Sequence, residues 1–198
     1  ANGSNAGAAY IFTRDAAGVY TQEAKLIASD GAASDTFGSS VAIGTIGTFT
    51  PTAVALIGAQ SHDLPAANAG AVYAFKREVL IDGAVWTPIQ KLPLSPSSGD
   101  TFGFDIELLG GTAFVSALLD DVAGQGTDAG SVHVFTSTNG NSWSFSNSIT
   151  SPDGAAGERF GVSLDASGSD LIIGADADDG AGTNAGAAYR YRNISGVW

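Results

Sequence analysis

The side chains here that could do chemistry are mostly carboxylates. The chain has 198 residues, with 20 Asp and Glu against 8 Lys and Arg, a net charge of −12, and no Cys. Two short stretches concentrate the acid: Asp120 and Asp121 with Asp128, and Asp176, Asp178 and Asp179. Asp176-Ala-Asp-Asp-Gly180 alternates carboxylates ahead of a Gly, the arrangement that an oxygen cage for a hard cation needs. Calcium is therefore the candidate cofactor, and these six aspartates are its candidate ligands. The pattern is not an EF-hand loop, because the distal bidentate Glu is missing. The competing reading is a solvated turn whose Asp side chains cap local backbone N–H groups. The matching stretch earlier in the chain holds only His62 and Asp63, so a cation site would not be common to every copy.

Catalysis has little to work with, and no catalytic residue is expected. Without Cys there is no thiolate nucleophile, thiolate zinc site or disulfide. His62 stands between Ser61 and Asp63, but a triad is a spatial arrangement, so a surface-loop histidine is expected. His133 is expected to pack. Asp105 and Glu107 alternate along one stretch, and paired carboxylates are what glycan hydrolysis requires; the plainer reading is an exposed strand face. The acidic balance disfavours nucleic acid, whose phosphates need basic patches, and anionic membranes for the same reason. No run approaches the roughly 18 apolar residues of a membrane-spanning helix, so no membrane insertion is expected. The chain opens on Ala1 with neither Met nor a signal peptide, as a mature secreted protein or an excised piece would. Asn2-Gly-Ser4 and Asn193-Ile-Ser195 fit the glycosylation sequon, a pattern common by chance.

The elements that must position these side chains are set by an internal repeat. Asn5-Ala-Gly-Ala-Ala-Tyr-Ile-Phe12 returns as Asn68-Ala-Gly-Ala-Val-Tyr-Ala-Phe75, Asp128-Ala-Gly-Ser-Val-His-Val-Phe135 and Asn184-Ala-Gly-Ala-Ala-Tyr-Arg-Tyr191. The spacing is roughly 55–65 residues, slightly above the usual propeller-blade period. Between these copies three further motifs keep a fixed order. One is Asp35-Thr-Phe-Gly38, Asp100-Thr-Phe-Gly103 and Glu158-Arg-Phe-Gly161. The next is an apolar run ending in small residues, Ala53–Ala59, Thr112–Ala117 and Asp170–Ala175. The last carries an aromatic: Tyr20, Trp86, Trp143 and, where a fourth copy begins, Trp198. Each run is five to eight residues long, rich in Val, Ile, Phe, Tyr and Trp, and bounded by Gly, Asp, Asn and Ser, which predicts strands. No stretch holds a helical period with caps. Four strands per repeat predicts an all-β fold, a β-propeller of four-stranded antiparallel blades. A single such sheet cannot bury both faces, so neighbours must stack. The Phe-Gly pairs are expected to place a ring between blades beside a Gly that allows close backbone approach. The recurring aromatics read as blade packing, with a binding surface as the alternative.

These motifs resemble the FG-GAP repeat of integrin α-subunit propellers and many bacterial surface proteins. Phe-Gly is intact three times, while the Gly-Ala-Pro slot reads Gly58-Ala-Gln60, Ser116-Ala-Leu118 and Gly174-Ala-Asp176. The bacterial form is closest, through Ala28-Ser-Asp-Gly-Ala-Ala-Ser-Asp-Thr-Phe-Gly38 and Pro152-Asp-Gly-Ala-Ala-Gly-Glu-Arg-Phe-Gly161. The family often carries Asp-x-Asp-x-Asp-Gly calcium loops between the first two strands of a blade. Here the stretches 43–52 and 109–112 lack carboxylates, and Asp165 with Asp170 is sparse. Family propellers commonly have about seven blades. This chain holds about three to three and a half repeats: a partial leading blade (1–34), two blades (35–95 and 96–150) and one lacking most of its last strand (151–198). It is thus expected to be part of a larger propeller or one completed by a second copy. The resemblance implies a non-enzymatic, extracellular binding or adhesion module that presents loops to a protein or glycan. The alternatives are a polysaccharide hydrolase or lyase and a structural repeat that self-associates into a layer or fibre.

Overall fold

Apolar β-branched and aromatic runs of this length, punctuated by Gly, Asn and Asp, favour pleated strands over any helix. The computed structural model describes residues 3–47 and 51–198. Residues 48–50, part of the stretch read above as lacking a calcium loop, lie outside these, as does Asn2 of the first sequon. The described residues form thirteen strands and no helix. The first sheet pairs β1 (Ala9–Arg14) with β2 (Tyr20–Leu26). The second orders β3 (Val41–Ile46), β4 (Thr52–Ala59), β5 (Ala71–Leu80) and β6 (Gly83–Lys91). The third orders β7 (Phe102–Leu109), β8 (Thr112–Ala117), β9 (Ser131–Thr136) and β10 (Ser144–Ile149). The fourth orders β11 (Phe160–Ser167), β12 (Asp170–Ala175) and β13 (Ala187–Arg192). Every pair of neighbouring strands is antiparallel, and within each sheet consecutive strands are neighbours.

Register repeats with the sequence. Val41 faces Ile57, Ile106 faces Val115 and Leu164 faces Ile173. These pairings align the sheets residue by residue, so Ser40, Asp105 and Ser163 share one slot, as do Leu56, Phe114 and Ile172. A one-residue slip would turn each apolar set outward, so burial enforces the register.

The cores lie between sheets. One cluster joins Ala9, Ile11 and Leu26 of the first sheet to Ile57 and Tyr73 of the second. Another joins Val54, Leu56 and Val72 of the second to Phe102, Ile106 and Val115 of the third. The third joins Phe114, Val132 and Val134 of the third to Phe160, Leu171 and Ile173 of the fourth. Each large apolar side chain so buried contributes roughly 1.5–3 kcal/mol, which a lone sheet would forfeit on one face. The Phe-Gly rings thus lie between sheets as expected. Each also lies against its own sheet's third strand: Phe37 against Tyr73 and Phe75, Phe102 against His133 and Phe135, Phe160 against Tyr189 and Tyr191.

A backbone clamp ties each sheet to the next. Phe37 N–H donates to Ala6 O, Phe102 N–H to Ala69 O and Phe160 N–H to Ala129 O, all at 2.9 Å. The residue before each Phe donates to Asn5, Asn68 and Asp128 O at 3.2–3.4 Å. Those acceptor residues have φ of 59°, 49° and 53°, a left-handed conformation that Asn and Asp tolerate best among residues with a Cβ. Gly follows two positions later because a Cβ at Gly7, Gly70 or Gly130 would run into the carbonyl of Phe37, Phe102 or Phe160.

Candidate functional site

The loops joining the second and third strands of each sheet carry most of the residues singled out for chemistry. They share one frame. The N–H groups of His62, Asp120 and Asp178 donate to Ala59, Ala117 and Ala175 O at 3.0–3.4 Å. The N–H groups of Gly70, Gly130 and Gly186 donate back to His62, Asp120 and Asp178 O at 3.0–3.1 Å. Inside each loop one aspartate accepts from a residue of left-handed backbone: Asp63 Oδ1 from Asn68 N–H at 3.0 Å, Asp121 Oδ1 from Asp128 N–H at 3.0 Å, Asp179 Oδ1 from Asn184 N–H at 2.6 Å. A side-chain acceptor that closes a loop on its own backbone is the Asx device, and here it recurs in all three loops.

The remaining candidate ligands have separate partners. Asp120 Oδ2 accepts from Ser131 Oγ at 2.5 Å. Asp178 accepts from Gly180 N–H at 2.9 Å and from the Tyr189 hydroxyl at 2.6 Å. Asp176 pairs with the Arg159 guanidinium at 2.9 Å on the surface. Asp128 contributes backbone rather than carboxylate to the frame. Among the described residues no three acidic or histidine side chains converge as a metal site would require.

His62 is not the surface residue expected. It is 1% exposed and its Nδ1 lies 2.9 Å from Oδ2 of Asp35, itself 1% exposed. Lys91 Nζ lies 3.3 Å from the opposite ring nitrogen and 2.7 Å from Asp30 Oδ2. Tyr73 lies edge-on to the imidazole and donates to Asp30 at 2.9 Å. Burial, and then the Asp30 carboxylate, push the Tyr73 phenol well above its ordinary range. Sequence reasoning missed this cluster because His62 occurs once; the other loops hold Asp120 and Asp178 in its slot. Asp35, Asp100 and Glu158 are all buried and accept from Ala32, Ser97 and Ala155 N–H at 2.5–2.8 Å. Their threefold recurrence two residues before Phe was the available signal. Burial raises the Asp100 carboxyl above the usual range, against the lowering effect of the Ser97 hydrogen bond.

His133 packs, as expected, between Phe102 and Phe145. Its ring nitrogens lie 3.1 Å from Ser131 Oγ and 2.8 Å from Ser148 Oγ, and burial lowers its pKa. Asp105 and Glu107 are half-buried rather than an open strand face. Asp105 accepts from Ile106 N–H at 3.0 Å and from Leu164 N–H of the next sheet at 2.8 Å. It thus ties the third sheet to the fourth. Glu107 sits above the ordinary carboxyl range through burial, then the neighbouring Asp165 and Asp105. Of the recurring aromatics, Trp86, Trp143 and Trp198 all pack against the inter-sheet clusters. Trp86 also donates to Glu23 at 2.7 Å, which Arg77 grips through two nitrogens; the Arg77 bond, more than any other cause, lowers the Glu23 pKa. Tyr20 stays 66% exposed.

The loop tips differ while their frames do not. Leu64-Pro65-Ala66 stands in the first, Val122-Ala-Gly-Gln-Gly126 in the second and Gly180-Ala-Gly182 in the third. In the second, Val122 and Gly126 close a small bridge of their own, and Gln125 reaches across to the Ser151 carbonyl. A family model for the FG-GAP repeat matches residues 20–75 and 143–191, together just over half of the chain. No curated protein matches the chain.

Proposed function

Since this chain belongs to the FG-GAP repeat family, we propose that it is a non-enzymatic binding module, a sector of a propeller whose loops meet a protein or glycan outside the cell. FG-GAP repeats are commonly adhesion or binding modules. The observation that carries the reading is the contrast just described: one hydrogen-bonded frame used three times, with a different tip each time. A scaffold that holds frames constant and lets tips vary is how recognition loops are presented, because the ordering cost is met before the ligand arrives. The extracellular placement rests on the family, and no helix of the described residues is long and apolar enough to cross a membrane.

The hydrolase reading is disfavoured by Asp105. A carboxylate held by two backbone N–H groups is poorly placed to move a proton to a sugar. This reading does not depend on a metal, since backbone and side-chain donors orient Asp121, Asp178 and Asp179 within their own loops.

The test is a glycan and protein array probed with the intact chain and with a chain whose three loop tips are replaced by Gly-Ser. Capture by the intact chain that disappears on replacement supports the reading. Capture that survives replacement of all three tips contradicts it.

A further inference from the structure

The turn between β5 and β6 differs from the turns at the same end of the sheets on either side. Phe12, Phe75 and Phe135 hold one repeat position. β1 ends two residues past it and β9 one, but β5 runs five further, to Leu80. At about 3.3 Å per residue, the β5–β6 ribbon projects roughly 10 Å beyond its neighbours. Its last pairs are Glu78 with Val85, Val79 with Ala84 and Leu80 with Gly83, closed by Ile81-Asp82.

The tip is apolar where a turn is ordinarily polar. Val79 is 75% exposed, Leu80 56% and Ile81 completely; Val85 is exposed as well. The neighbouring turns use conventional turn chemistry. Asp15 Oδ1 accepts from Val19 N–H at 2.8 Å, and Ser137 Oγ from Gly140 N–H at 2.9 Å. An Ile supplies a turn with nothing of that kind. A local rule broken with no compensation inside the fold points to a functional position.

The base of the ribbon is braced on both faces. Toward the first sheet, the cross-strand pair Arg77 and Trp86 both hold Glu23 Oε1 of β2, each at 2.7 Å. Toward the third sheet, Lys76 Nζ donates to Asn141 Oδ1 at 2.8 Å. Both neighbours are therefore in place beside the ribbon, and its length alone leaves the tip uncovered. Bracing orders the tip before anything meets it, which lowers the cost of binding. The charge there has one sign: Glu78-Val-Leu-Ile-Asp-Gly-Ala-Val85 carries two carboxylates and no cation.

We propose that this tip anchors a protein partner through an apolar cleft lipped by Lys or Arg. Val79, Leu80 and Ile81 enter the cleft, and Glu78 and Asp82 meet the basic lip. A lipid surface fits less well. Segments that enter membrane interfaces set Lys, Arg and Trp beside their aliphatics, and anionic headgroups repel carboxylates. A second copy also fits less well, since a surface of net charge −12 repels an acidic tip.

The probe is a phage-displayed library of short random peptides, panned on the intact chain and counter-selected on a chain carrying Leu80→Ser and Ile81→Ser. Both changes are at exposed positions, so the variant should melt with the parent. Selected peptides should combine aliphatic or aromatic residues with Lys or Arg. They should bind that variant about tenfold more weakly or worse. A chain carrying Glu78→Lys and Asp82→Lys should lose a similar factor. A chain with its three loop tips replaced by Gly-Ser should keep the binding, because those loops lie at the other end of the sheets; the two readings can thus fail separately. Peptides that never discriminate the serine variant, or tip-dependent peptides without basic residues, would overturn the proposal. So would co-sedimentation with phosphatidylcholine vesicles, or self-association, that the serine variant abolishes, since either gives the tip to another occupant.

Discussion

His62 Nδ1 lies 2.9 Å from Asp35 Oδ2, with both side chains sealed from solvent between a loop of the second sheet and the linker that leads into that sheet. Asp35 also fixes Ala32 N–H, so the pair holds the approach to Thr36-Phe37, where the first and second sheets are clamped. Replacing His62 by Ala leaves the buried Asp35 carboxylate with the Ala32 N–H but without the imidazole. The expected loss is roughly 1–3 kcal/mol, read as a lower urea midpoint with unchanged slope. An unchanged midpoint would mean the pair contributes nothing to the scaffold.

Gly70 tests the clamp itself. It has φ of 86°, and an added Cβ would run into the Phe102 backbone. Gly168 has φ of 61° with open space around the same position. Gly168→Ala is expected to cost about 1 kcal/mol from backbone strain alone. Gly70→Ala should cost at least about 1 kcal/mol more, since the two sheets must part. Equal losses in chemical denaturation would show that the close approach carries no energy.

His133 gives the pH dependence a sign. Its folded pKa is depressed by burial, so the unfolded chain takes up the proton first. Stability is therefore fully present above the unfolded histidine value near 6.5 and falls as pH drops below it. The His133→Tyr variant, which restores the residue used at Tyr73 and Tyr189, should lose less stability than the parent between pH 7.5 and 5.5. A parent and variant with parallel melting curves across that range would contradict this.

Calcium offers a further check. The carboxylates of Asp120, Asp121, Asp178 and Asp179 already accept hydrogen bonds within the chain. Millimolar calcium and chelator are expected to give the same melting temperature. A ligand bound only by the native state would raise it, so a rise of several degrees would place a cation in these loops after all.

The repeated parts of the molecule were legible in the sequence, and the unrepeated parts were not. Phe37, Phe102 and Phe160 stand at matching positions beside Gly, so their place between sheets could be read from recurrence and size. The order of strands followed from the same recurrence. His62 could not be read, because a histidine flanked by Ser and Asp in a polar loop gives no sign that Asp35, 27 residues away, will bury it. Asp105 misled for a related reason. Alternation with Glu107 on a strand describes which face it occupies, but its bond to Leu164 N–H depends on how closely the next sheet approaches. The acidic loops were read as ligand or as turn, and Asp63, Asp121 and Asp179 take the turn role because each has a left-handed N–H within reach.

The central physical claim is that the sheets act as one body because the backbone of each Phe-Gly head is bonded into the preceding sheet. Native-state hydrogen exchange at the Phe102 amide tests it most directly. If the clamp holds, that N–H, paired to Ala69 O at 2.9 Å, exchanges only on global unfolding, as slowly as Val115 in the centre of β8. Exchange at the rate of the exposed loop amides would show that the sheets part freely and that the frame they hold is not rigid.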